Sequence, residues 1–123
     1  MKRRRATPRR RDAPRETYDW WANATDALLR RSGGRCEIGG CDLYSTGLER
    51  HHRIRRRDGG DRLANLLALC PSCHAYATTH PAEARDKGWI VTAHGADPAT
   101  MPVLIGGTLW LLDDDGGRTR VVK

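Results

Sequence analysis

Four cysteines constrain this chain more than any other feature. They fall in two close pairs, Cys36 with Cys41 and Cys70 with Cys73, and 28 residues separate the pairs. A chain of 123 residues with no Phe can bury only a modest core, and domains that small commonly need a staple. Thiolates suit Zn²⁺, which takes a closed tetrahedral site when its role is structural. Each short loop lets two sulfurs converge on one ion, and Gly39-Gly40 let the first loop curl around it. One zinc would then tie that turn to the helix expected just after Cys70. Two disulfides, in any of three pairings, are the alternative. A reducing, cytoplasmic setting favours the metal.

Charge is distributed unevenly. Residues 1–15 hold eight basic side chains and one acid, and the rest of the chain holds fourteen of each sign. The net charge of +7 therefore sits on the N-terminal stretch. Its like charges, prolines and lack of apolar periodicity predict a disordered basic tail over 1–15 that can lie along phosphates. A second cluster, Arg50, Arg53, Arg55, Arg56 and Arg57 with Arg62 after it, lies between the cysteine pairs. Two basic patches point to a polyanion, with nucleic acid the usual candidate. No apolar stretch follows the positive start, so a secretory signal is not expected. The apolar run near 103–112 is short and broken by Gly106-Gly107, which excludes a membrane helix.

From Thr17, a candidate N-cap, apolar residues recur at helical spacing through Tyr18, Trp21, Ala22, Thr25 and Leu28-Leu29, and Gly33-Gly34 stop the helix. Trp20 and Trp21 could stack on bases, but Trp21 lies on the apolar stripe and core packing is favoured. Leu48 to His52 reads as a strand, 53–62 as an exposed loop turning at Asp58-Gly59-Gly60, and the apolar stretch 63–69 as an antiparallel second strand after Asn65. A helix should follow over 72–79 with Pro71 at its start. Beyond Pro81 come a short helical stretch, AEARDKG, a strand candidate WIVTA, and a hairpin of PVLI and TLWLL about Gly106-Gly107. Asp113-Asp114-Asp115 reads as a solvated turn rather than a metal site.

Histidines lie inside and beside the cysteine clamp. His51 and His52 are adjacent on a strand candidate, so their side chains leave opposite faces. They can serve one site only if the strand twists or ends there. A neutral imidazole can bind a metal, and another can act as a base near pH 7.

His51-His52, then Asn65, then Cys70-x2-Cys73-His74, with Asn65 nine residues before His74, resembles the HNH endonucleases. Cys36-x4-Cys41 resembles the zinc-containing branch, and HPAEARDKGWIV with PVLIGGTLWLLDDDGG is similar to HNH proteins of actinobacterial phages. The resemblance spans about 18–117. It implies an α+β fold: a ββα-metal core at about 35–81 within an HNH domain at 16–123, with an N-terminal helix and a small C-terminal β extension at about 88–123.

By position, the resemblance makes His51 and His74 ligands of a catalytic divalent ion and His52 the general base. Asn65 orients that base and the loop. Cys36, Cys41, Cys70 and Cys73 become ligands of a structural Zn²⁺. Relatives often carry a further His one turn after His74, where this chain has Thr78; His80 is off that helical face. The implied reaction is one-metal hydrolysis of DNA phosphodiester bonds, with Arg53, Arg55, Arg56, Arg57 and Arg62 near the site to hold phosphates. Imidazole ligands suit Mn²⁺, Ni²⁺ or Co²⁺ as well as Mg²⁺. The resemblance also implies a phage setting in the host cytoplasm, beside a packaging terminase. A zinc-stapled DNA-binding module without catalysis is the alternative, although it needs neither Asn65 nor His74.

Overall fold

The computed structural model describes residues 25–39, 47–92 and 94–122. The basic tail, the start of the expected first helix with Trp20 and Trp21, and Cys41 lie outside the described residues. Helix α1 covers 25–32 among them. It closes as its glycines foretell. Gly34 N donates to Leu29 O and Gly33 N to Arg30 O, with Gly33 at φ 69°, the paired bonds of a left-handed helix terminus.

Strands β1 (Glu49–His52) and β2 (Leu66–Leu69) pair antiparallel, with His51 opposite Leu67 and His52 opposite Leu66. Between them the loop expected over 53–62 contains one helical turn, α2 (Arg56–Gly59), and a 3₁₀ turn (Leu63–Asn65) follows it before β2. Helix α3 (Pro71–Thr79) follows β2. Cys70 caps it by accepting the Cys73 N–H at its sulfur, and Pro71 occupies a first-turn position where a missing N–H costs nothing. The fold is thus α+β, with strand, strand and helix in succession.

Every residue of β2 is buried, which explains why LLAL does not alternate. Leu67 and Leu69 join the larger core with Ala77 of α3, Trp89, Val103 and Leu112. Leu66 and Ala68 join Leu28 and Leu63 on the other face. Cross-strand partners share a face, so His51 emerges on the α3 side of this sheet and His52 on the opposite side.

A buried ion pair fastens the first cysteine turn to β2. Arg31 grips Glu37 at 2.9 and 3.0 Å and also donates to the carbonyls of Leu63 and Leu66. Glu37 in turn takes the Ala68 N–H at 2.9 Å.

After α4 (Pro81–Asp86), residues 89–93 were expected as a strand, but the described part is irregular. Its backbone groups go to separate partners. Trp89 N and Ile90 N reach Ala84 O, and Val91 N reaches Arg53 O. The hairpin β3 (Val103–Ile105) and β4 (Thr108–Leu112) turns at Gly106 and Gly107, both at positive φ, and β5 (Arg118–Arg120) adds a third strand. No helix among the described residues is long and apolar enough to cross a membrane.

Candidate active site

His51 is buried. Its Nε2 lies 2.7 Å from Trp89 O, so the neutral ring carries its proton on Nε2 and keeps the Nδ1 lone pair. Burial holds its pKa down at about 4, against the Trp89 bond and with help from the neighbouring His74, His52 and Arg53. The ring is therefore neutral across the physiological range, as a metal ligand or proton acceptor must be.

His74 is the fourth residue of α3. Its Nδ1 lies 2.7 Å from Glu49 Oε1, which leaves Nε2 available. Glu49 and His51 are two apart on β1 and share a face. The His51 and His74 rings meet edge-on, with centroids 5.1 Å apart. Among the described residues each imidazole has one nitrogen engaged, and the lone pair on the other has the donor chemistry that suits a divalent ion.

His52 is the last residue of β1, so the strand ends where the second imidazole leaves it. Both histidines consequently line one cleft of about 680 Å³, together with Arg55, Asp58, Thr92 and His94. His52 Nε2 lies 2.8 Å from Asp61 Oδ1, and Arg56 Nε lies 3.2 Å from the same oxygen. All three histidines at motif positions thus have one ring nitrogen anchored.

Asn65 is fully buried and closes the loop between the strands. Its Oδ1 accepts Ile54 N, and its Nδ2 donates to Ile54 O and Gly60 O, all at 2.8–2.9 Å. Gly59 packs so close that a methyl group there would lie 2.6 Å from Asn65 Nδ2. Asn65 therefore shapes the loop that carries Asp61, while Asp61 itself contacts the His52 ring.

Of the arginines expected to hold phosphates, Arg53 takes another position. It is 1% exposed, and its guanidinium donates to Gly88, Ala64, Pro98, Met101 and Pro102 carbonyls. Desolvation lowers its pKa to about 10. With every donor committed to backbone, Arg53 welds the C-terminal segment to the end of β1 and has no face for DNA. Arg55 and Arg57 are exposed, and Arg56 is partnered by Asp61. Arg62 is held by Asp97 and Asp114, each at 2.9 Å, and these bonds raise its pKa. The acidic turn thus contributes a partner for Arg62 rather than pure solvation.

Cys36, Cys70 and Cys73 place their sulfurs within 4.8 Å of one another, a spacing at which one ion can take all three. The fourth expected ligand, Cys41, is outside the described residues. Thr78 donates to His74 O, and His80 stacks on Tyr76 at 3.9 Å, so neither leans on the His51–His74 pair.

Sequence reasoning missed Glu37, Glu49, Asp61 and the Trp89 carbonyl. Strand alternation could have found Glu49, two residues before His51. Nothing in the residue types signals the other three.

Residues 35–79 match the family model described as HNH endonuclease. The match ends at 79, so the likeness of the later stretch to phage-encoded members has no counterpart in it. No curated protein and no solved structure matches the chain.

Proposed function

We propose that this chain is a metal-dependent endonuclease that hydrolyses DNA phosphodiester bonds, a reading supported by the match of residues 35–79 to the HNH endonuclease family model. One observation carries the reading: the His51 and His74 rings meet with centroids 5.1 Å apart, His52 follows at the end of β1, and each of the three has one ring nitrogen anchored. His51 through Nδ1 and His74 through Nε2 would hold a divalent ion, Mg²⁺, Mn²⁺, Ni²⁺ or Co²⁺. A bound ion supplies Lewis-acid stabilisation of charge on the phosphate and the leaving oxygen.

The chain's own residues do the rest. His52 Nδ1 takes a proton from a water molecule, whose oxygen bonds to phosphorus as the 3′ oxygen leaves with the electron pair and is protonated from solvent. The products are a 5′ phosphate and a 3′ hydroxyl. Asn65 holds the loop beneath this base. Arg55 and Arg57 are the exposed cations that hold flanking phosphates, with Arg56 and Arg62 beside them already paired to carboxylates, and phosphate contacts give affinity without base choice. Cys36, Cys70 and Cys73, with Cys41, would hold a structural Zn²⁺, which would keep α3 against the β1–β2 pair.

Plasmid cleavage tests the reading, using zinc-loaded wild type and His52→Ala with Mg²⁺, Mn²⁺ or EDTA. Metal-dependent nicking that disappears in the variant, with zinc content retained, supports it. DNA binding by both proteins without cleavage by either means a zinc-stapled binding module instead.

A further inference from the structure

We propose that Asp61 is the positioning residue of the base: its carboxylate fixes the tautomer of His52 so that Nδ1 faces the attacking water. The inference rests on the reading of His52 as base and adds a residue to it.

A carboxylate can only accept hydrogen bonds. With Asp61 Oδ1 2.8 Å from His52 Nε2, the neutral imidazole must carry its hydrogen on Nε2. The lone pair is then confined to Nδ1. Without that partner a neutral imidazole populates both tautomers, and the one with hydrogen on Nδ1 cannot take a proton there. The pair is sheltered, with side chains 22% and 16% exposed, so water competes weakly for the bond.

Two further contacts keep Asp61 in place. Arg56 Nε reaches the same carboxylate oxygen at 3.2 Å, from the single turn α2. Asn65 Nδ2 binds Gly60 O, immediately before Asp61 in the chain. The buried asparagine therefore acts on the base at one remove: it sets the loop, the loop sets Asp61, and Asp61 sets the ring. His51 provides an internal comparison. There a backbone carbonyl fixes the ring, which no side-chain substitution can remove, whereas the His52 partner is a side chain and can be deleted.

The test uses full-length, zinc-loaded protein. Nitrogen-15 NMR of the imidazoles reads the tautomer of His52 in wild type, Asp61→Ala and Asp61→Asn, beside single-turnover cleavage and DNA affinity. Wild type should hold His52 with hydrogen on Nε2. Asp61→Ala should mix the tautomers and lose about tenfold to a hundredfold in cleavage rate, part of what a well-placed base contributes, at unchanged DNA affinity. Asp61→Asn, whose amide oxygen can still accept from Nε2, should recover most of that loss.

Wild-type His52 with hydrogen on Nδ1 overturns the proposal outright, whether or not either variant folds. So does Asp61→Ala with wild-type tautomer and rate. Wild-type cleavage by His52→Ala sinks the base assignment and this proposal with it. A dead His52→Ala beside a fully active Asp61→Ala sinks only the role of Asp61.

Discussion

His51 Nε2 lies 2.7 Å from the carbonyl oxygen of Trp89, a residue outside the segment 35–79 that matches the HNH family model. A motif histidine is thus oriented by a part of the chain that the match does not include. Arg53, two residues after His51, bonds to Gly88, Pro98, Met101 and Pro102 carbonyls in the same C-terminal region. These bonds fasten the end of β1 to Gly88, Trp89, Pro98, Met101 and Pro102.

Burial of His51 predicts an acid-sensitive fold. Its folded pKa is about 4, against an ordinary value of 6.5. As pH falls below 6.5 the unfolded chain takes up a proton that the native ring refuses, so stability present above that point is lost between pH 6.5 and 4. The full loss is about 3 kcal/mol. Chemical denaturation of zinc-loaded protein without added divalent ion should show this decline. His51→Gln, which cannot titrate, should flatten it. An identical pH profile in the variant would count against a buried neutral His51.

Arg53 should matter for stability and not for DNA. Arg53→Met keeps much of the volume but removes five hydrogen bonds to backbone carbonyls, and the expected cost is about 3–5 kcal/mol in urea unfolding. In conditions where the variant remains folded, its DNA affinity should fall with salt as steeply as that of wild type. Arg55→Ala or Arg57→Ala should each reduce the slope of log affinity against log salt by about 1. A reduced slope in Arg53→Met would mean that its guanidinium reaches phosphate.

Asn65 and Gly59 should be energetically coupled. Asn65→Ala removes three hydrogen bonds, two of them buried, and should destabilise by about 3 kcal/mol. Gly59→Ala pushes a methyl group against Asn65 Nδ2 and Ile54 Cβ, at 2.6 and 2.8 Å. On the Asn65→Ala background that clash is partly relieved, so Gly59→Ala should cost less there than in wild type. Strict additivity in a double-mutant cycle would contradict the close packing.

Glu49 should tune metal affinity through His74. Removing such a carboxylate from a metal-binding imidazole typically costs about 10–100-fold in affinity or activity. Calorimetric titration of Co²⁺ or Mn²⁺ into zinc-loaded Glu49→Ala should show weaker binding, and Glu49→Gln should lie between it and wild type. Equal affinity in all three would remove Glu49 from the centre.

The order of the elements was legible in the sequence because each has a local cause. Gly33-Gly34 stop α1, Pro71 opens α3, and Gly106-Gly107 turn the hairpin. The histidines and Asn65 stood out by type and spacing. Arg53 did not, because an arginine among four others reads as surface, and only tertiary structure reveals five carbonyls closing on it. The strand expected at WIVTA failed for a related reason. Its apolar pattern is real, with Trp89 and Val91 buried, yet its backbone bonds go to Arg53 and α4 instead of a neighbouring strand. Trp89 could be foreseen as a core residue but not as a hydrogen-bond acceptor for His51, since every residue has a carbonyl and residue type says nothing about which one will be used.

The bond between His51 and Trp89 limits how this domain can be reused. A chimera that transplanted residues 35–79 into another scaffold would bring the histidines and leave behind the acceptor that orients one of them. The new host would have to offer a carbonyl at the same place, together with a cage for Arg53. The motif is therefore not a portable cassette. Drift in the C-terminal region can misorient His51 without touching a single motif residue.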